Sequence, residues 1–192
     1  PKIVPKQHHG GSAAALFLVE ATGKADATIA LSHDDDKQNL DVKGQIDSLK
    51  ANNVAIGKAE IALVAQDIFN VPAANGTVSA TNISASGIDI TSLDAQANQS
   101  GKATNFTLDA ALKNGAKTSL GGALEPTDKG YLLSLAKAEL TREKLAARLV
   151  QPAAINVAGS DVSFGDIILD IGNGKVTVSG EVAQTLNLAV AI

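Results

Sequence analysis

The chain has 192 residues with a formal net charge of −4, 45% hydrophobic and 3% aromatic residues, and no Cys, Met or Trp. That length allows one large β domain or two small ones, and that hydrophobic content excludes a disordered chain. The acidic balance argues against a nucleic-acid partner, because neutralising phosphates takes a basic stripe and Lys102, Lys113, Lys117 and Lys129 stand singly near expected turns.

Residues 1–19 match no element. With His8 and His9 ahead of Gly10-Gly11-Ser12, they read as a loosely ordered N-terminal segment, either a natural linker or the remnant of a tag. The run "SAAALFLVEA" falls short of the roughly 20 apolar residues that span a bilayer. Beginning at Pro1 and ending in mid-alternation at "NLAVAI", the sequence reads as a fragment of a longer chain whose targeting signal lies elsewhere.

From residue 20 onward the dominant signal is alternation of period 2, the mark of strands with one dry face. Ala27, Ile29 and Leu31 alternate with Thr28 and Ser32; after "HDDDKQN", Leu40, Val42 and Ile46 alternate with Asp41, Lys43 and Gln45. Val54 and Ile56, then Ile61, Leu63 and Ala65, continue it, followed by Val78, Ala80, Ile83, Ala85, Ile88 and Ile90. Phe106, Leu108, Ala110 and Leu112 lead into Asn114-Gly115, the best hairpin signal in the chain. Leu120 and Leu124, then Tyr131, Leu133 and Leu135, extend the series past "PTDKG". In "AELTREKLAARLVQP", Leu140, Leu145 and Leu149 recur near helical spacing, Thr141 is a candidate cap and Pro152 a stop, which predicts one short helix. "DIILDIGNGKVTVSGEV" then reads as a hairpin with Ile167, Leu169, Ile171, Val176, Val178 and Val182 on one side and Lys175, Thr177, Ser179 and Glu181 on the other; Leu186, Leu188, Val190 and Ile192 close the series. A weak repeat over Asn53–Gln66, Asn82–Gln96 and Ile155–Asp170 points to an elongated stack.

No constellation carries catalysis. Two of the three histidines, His8 and His9, sit in the N-terminal segment with His33 apart from them, and no nucleophile pairs with a base. Asp34-Asp35-Asp36 lacks the spacing of a calcium loop, with Gln38 and Asn39 where a ligand and a glycine belong, and reads as a solvated hairpin. "SGKAT" fails as a phosphate loop, with Gln96 and Ala103 at the deciding positions. The sequons at Asn75, Asn82, Asn98 and Asn105 are expected by chance in a chain this rich in Asn, Ser and Thr. What remains is the aliphatic face itself. About a dozen strands make a sheet roughly 55 Å across, which either curls into an open trough or closes on itself as a sandwich or solenoid core. Period alone leaves both open.

The run "LTREKLAARLVQPAAINVAGSDVSFGDIILDIGNGKVTVSGEVAQTLNLAVAI" resembles the β-repeat region of the TamB-type, AsmA-like family. The resemblance lies in the order of Pro152, Ile155, Val157, Val162 and Phe164, the Gly172-Asn173-Gly174 turn, and the aliphatic series to Val190; it extends over residues 101–192 and faintly over 20–100. It implies an all-β fold in which a long, curved, mostly antiparallel sheet forms an open groove, the β-taco, over residues 20–192. It also implies a non-enzymatic role without metal or cofactor, in the periplasm of a Gram-negative cell, with an inner-membrane anchor outside this segment. The partners it implies are phospholipid acyl chains in transit between the membranes, or unfolded outer-membrane β-strands (autotransporters among them) delivered with TamA, an Omp85-type barrel. The residues expected to line the groove are Phe106, Leu108, Leu112, Leu120, Leu133, Leu135, Phe164, Ile167, Leu169, Ile171, Val176, Val178, Val182, Leu186, Leu188 and Val190. The alternative is a structural or adhesive module with a closed aliphatic core.

Overall fold

The computed structural model describes residues 21–34, 37–68, 73–183 and 186–191; the expectations for residues 1–19 lie outside them. Within these residues every regular element is a strand: β1 (Ala21–Asp34), β2 (Lys37–Ala51), β3 (Val54–Gln66), β4 (Ala73–Ala85), β5 (Ile88–Ser100), β6 (Ala103–Leu112), β7 (Lys117–Thr127), β8 (Gly130–Arg142), β9 (Leu145–Leu149), β10 (Ala153–Ala158), β11 (Asp161–Ile171), β12 (Gly174–Val182) and β13 (Leu186–Ala191). They form one antiparallel sheet in chain order, in which β9 and β10 share a single position between β8 and β11. β1 and β13 are its two edges among the described residues.

The connections are short, as antiparallel neighbours permit. At the β6–β7 turn the Gly115 N–H donates to the Leu112 carbonyl at 3.0 Å and the Ala116 N–H to Asn114 Oδ1 at 3.0 Å, with Gly115 at φ 85°. Asn114-Gly115 thus makes the expected hairpin. The Asp-rich connection joins β1 to β2 with Asp34 and Lys37 as ladder partners.

The short helix expected between Leu140 and Leu149 is absent. β8 runs through to Arg142, Glu143-Lys144 turn, and β9 returns with Leu140 opposite Ala147 and Arg142 opposite Leu145. A spacing of four is even, so Leu145 and Leu149 share a strand face as readily as a helix face. β8 and β11 supply a ladder on both sides of β9, which outweighs the modest helix preference of Ala, Arg and Leu. Thr141 caps nothing; it pairs with Lys117 and Ala146. The expected repeat also dissolves, since its three segments fall on a single strand, on parts of β4 and β5, and on β10 with β11.

Two lines of irregularity cross the sheet. In β2, β3 and β4 the half-buried or buried apolar positions step by three, from Ile46 to Leu49, Ala59 to Ile56 and Ala80 to Ile83. The intervening Ser48 and Asn82 take positive φ (61° and 53°), with Gly57 between them in the ladder. A Cβ on Gly57 would meet the Cβ of Asn82 at 2.9 Å, so the column needs its glycine. The line continues in β5 as a register shift between Ile90 and Ser92. The second line crosses β8 beside Gly121/Gly122, passes between β9 and β10, and reappears in β11 between Phe164 and Ile167. An extra residue bends its strand and raises its twist, so the sheet bends along both lines.

Among the described residues no second layer covers this sheet. Strands approach their ladder neighbours and little else, and no large side chain is fully buried among the described residues. The buried apolar residues are alanines: Ala59, Ala65, Ala80, Ala116 and Ala153. The chain exposes 13566 Å², against about 8500 Å² for a compact monomer of this mass.

Candidate functional site

Ladder partners project from the same face, as do residues two apart along an uninterrupted strand. β6 is uninterrupted, so Phe106, Leu108, Ala110 and Leu112 define one face, which the register carries outward in both directions. Toward β13 it passes from Phe106 through Gly122 to Leu135, and from Leu108 to Leu120. A neighbouring row runs Thr104, Leu124, Leu133, Ile155, Phe164, Gly180 and Leu188. Ile167, Val178 and Val190 form another, Leu169 faces Val176, Ile171 faces Gly174, and Val182 faces Leu186. All sixteen residues expected to share a dry face lie on one face of the sheet.

Toward β1 the same face includes residues that alternation alone left out of the set. Leu112 continues into Ile90, Ile83, Ile56 and Leu49, a row of large aliphatics on five adjacent strands. Leu108 continues through Ala95 and Val78 to Ile61. Leu145, Ala147 and Leu149 of β9 also belong here, missed because that segment was expected to be helical. One signal in the sequence could have placed the first row: the three-residue step recurring around Ser48, Gly57, Asn82 and Thr91. The face stays exposed at both edges, at Ile29 (66%) and Leu31 (64%) on β1 and at Leu186 (68%) and Val190 (61%) on β13.

Each phenylalanine of this face stands opposite a glycine, Phe106 opposite Gly122 and Phe164 opposite Gly180. Backbone crowds both glycines on the far side: an added Cβ would lie 2.1 Å from the Ser134 carbonyl oxygen at Gly122 and 2.2 Å from that of Asn187 at Gly180. Aromatic rings opposite glycines restore the apolar cover a missing side chain would leave.

β4 and β6 approach each other across β5 at one end of the sheet. The Ala74 N–H donates to Thr104 Oγ1 at 3.2 Å, although β4 and β6 are two ladder steps apart. Flat strands would hold them about 9.6 Å apart; here their Cα atoms come within 8 Å. Thr104 belongs to the dry face and is buried with its hydroxyl bonded.

The opposite face is polar. Asp26, Gln45, Glu60, Ser79, Asp94, Asp109, Ser119, Glu139, Arg148, Asp170 and Lys175 are consecutive partners in a single row. Arg148 sits between Glu139 and Asp170, with Nε 2.7 Å from Glu139 Oε1. Shallow clefts of about 480 and 420 Å³ lie between these long side chains, one lined by Asp26, Lys43 and Glu60, the other by Asp94, Asp109 and Lys137. A cavity of about 860 Å³ lies at the end of the sheet that carries the β5–β6, β7–β8 and β10–β11 turns. Among the described residues no group of His, Asp or Glu is placed to hold a metal ion, and no helix is long and apolar enough to cross a membrane. His33 is an exposed β1 residue opposite Gln38. No family model, curated protein or solved structure matches this chain.

Proposed function

We propose that the dry face is an open groove that shields lipid acyl chains, and that the chain works without catalysis as part of a periplasmic phospholipid conduit of the TamB type, anchored through a segment outside this sequence. The observation that carries this reading is the continuous aliphatic face from β1 to β13, on which no second layer packs among the described residues. Exposing an acyl chain to water costs about 0.8 kcal/mol per CH₂, so on the order of 10 kcal/mol per chain. A wall of Ala, Val, Leu and Ile offsets that cost with few polar groups to fix one pose, which suits a ligand that slides. The bends along the two bulge lines and the curl at Thr104 support a groove over a flat sheet.

A second occupant, an unfolded outer-membrane strand, is favoured by a separate feature. Among the described residues β13 is an edge strand without charge or proline, and Leu188 (45% exposed) and its neighbours extend the dry face to that edge. Such an edge accepts a further strand.

The test is native mass spectrometry of the chain purified from a Gram-negative host, alongside Leu169→Arg and Val178→Arg. The groove predicts bound phospholipid in the parent and its loss in both variants, with strand content retained and stability lowered by only about 1–2 kcal/mol, because Leu169 and Val178 are half-buried on an open face. Variants that unfold would point to a closed core, as would a parent that never carries lipid.

A further inference from the structure

The cavity of about 860 Å³ gathers residues that a flat sheet would keep far apart. β2 and β10 are seven ladder steps from each other, about 34 Å in a flat sheet, yet Lys37 at the start of β2 and Val157 near the end of β10 line the same space of about 860 Å³. The curl marked by Thr104 and Ala74 lies at this end, and Ala73 and Lys102 beside them also line the cavity.

Its lining is amphipathic. Pro126, Tyr131 and Val157 are consecutive ladder partners and extend the dry face into the cavity. Above them stand Lys102 and Lys129, from the β5–β6 and β7–β8 turns. Neither lysine joins an ion pair among the described residues, whereas Lys113 at the opposite end of the sheet is 3.7 Å from Asp89. Lys37, at the start of β2, is a third lysine of the lining. Asp67 and Asp128 share the lining and temper its positive charge.

Resting on the groove reading, we propose that this end of the face is a head-group subsite for a phosphodiester lipid: hydrocarbon along Val157 and Tyr131, phosphate oxygens on the ammonium groups of Lys102 and Lys129. A lysine ammonium is a compact, strongly hydrated charge with three donors, suited to phosphate as a point-charge partner. The two aspartates favour a phosphodiester, with one negative charge, over a free phosphate monoester carrying nearly two.

The experiment offers the intact chain three probes: a short-chain phosphatidylglycerol, the diacylglycerol with the same acyl chains, and glycerol 3-phosphate. The subsite predicts phosphatidylglycerol bound about tenfold or more tighter than diacylglycerol, the worth of one charge-assisted hydrogen bond. It also predicts only weak binding of glycerol 3-phosphate. In the double variant Lys102→Gln/Lys129→Gln, phosphatidylglycerol should fall to the diacylglycerol level while diacylglycerol binding holds, which also shows that these exposed turn substitutions leave the groove intact. Equal binding of the two lipids by the parent, or an unchanged preference in the variant, overturns the subsite and leaves the groove standing. Glycerol 3-phosphate binding as tightly as the lipid overturns the lipid assignment. Binding of none of the three removes the groove and the subsite together.

Discussion

Phe164 and Ile167 lie three residues apart in β11 and project from the same face of the sheet. Their partners on β12, Gly180 and Val178, are two apart, and Gly165-Asp166 absorbs the difference as a bulge. The alternation in the sequence slips by one at this point, and the bulge puts it back in phase. Without it, Ile167, Leu169 and Ile171 would face the polar side while Phe164 stayed on the dry one.

Deleting Gly165 removes the extra residue and leaves Phe164, Asp166 and Ile167 opposite Gly180, Ser179 and Val178 in regular alternation, so it should cost less than about 1 kcal/mol. Deleting Ile168 instead keeps the bulge and puts Leu169 and Ile171 out of phase, on the polar side. At about 1–2 kcal/mol for each half-buried side chain, that loss should be about 2–4 kcal/mol. Urea unfolding followed by circular dichroism measures both; equal losses for the two deletions would mean that the bulge does not set the phase of β11.

Ser48 carries the corresponding role in β2 at a steric cost, since it holds φ at 61° in mid-strand. Ser48→Gly should raise stability by about 0.5–1 kcal/mol, because glycine takes positive φ without a Cβ penalty. Ser48→Val should lower it by about 1–3 kcal/mol, since a β-branched residue resists that backbone. Opposite signs for the two variants in chemical denaturation are the signature; two losses of similar size would show that the hydroxyl, and not the backbone, matters at this position.

Gly180 and Gly159 both have positive φ, 148° and 63°, and differ in what surrounds them. A methyl group at Gly180 collides with the backbone of Asn187 and Leu188, whereas one at Gly159 meets nothing within 4 Å. Gly159→Ala should therefore cost about 1 kcal/mol from conformation alone. Gly180→Ala should cost about 2–3 kcal/mol and release β13, which is held along one edge only. Amide exchange resolves the two: β13 should lose protection in Gly180→Ala and keep it in Gly159→Ala.

Arg148 separates two carboxylates, Glu139 and Asp170, in the polar row. Its side chain is 63% exposed, so solvent screens the pair, and Arg148→Ala should cost about 0.3–1 kcal/mol. Arg148→Glu sets three acids side by side on adjacent strands and should cost more, about 1–2 kcal/mol, much of it recovered in 1 M salt. Urea midpoints at low and high salt test this; a salt-independent difference would place the effect in packing.

Much of the fold was legible in alternation. Strand neighbours and chain order follow from short polar turns such as Asn114-Gly115, and the dry set from Phe106 to Val190 could be named residue by residue. What could not be read was phase across an irregularity. The step from Ile46 to Leu49, or from Leu135 to Ala138, looks like a lapse in the pattern until ladder partners show that both residues keep one face. For the same reason the even spacing of Leu145 and Leu149 passed for a helix turn.

By itself, then, the sequence determined that this chain makes long strands with one aliphatic and one polar face, because a period of two residues is a local property that needs no partner to be visible. Tertiary structure decided three things: that one bulge-corrected face runs unbroken from β1 to β13, that β9 and β10 share a single place in the sheet, and that the β5–β6, β7–β8 and β10–β11 turns converge on one cavity. Each depends on register and curvature, which arise when one strand's extra residue must be reconciled with its neighbour's regular one.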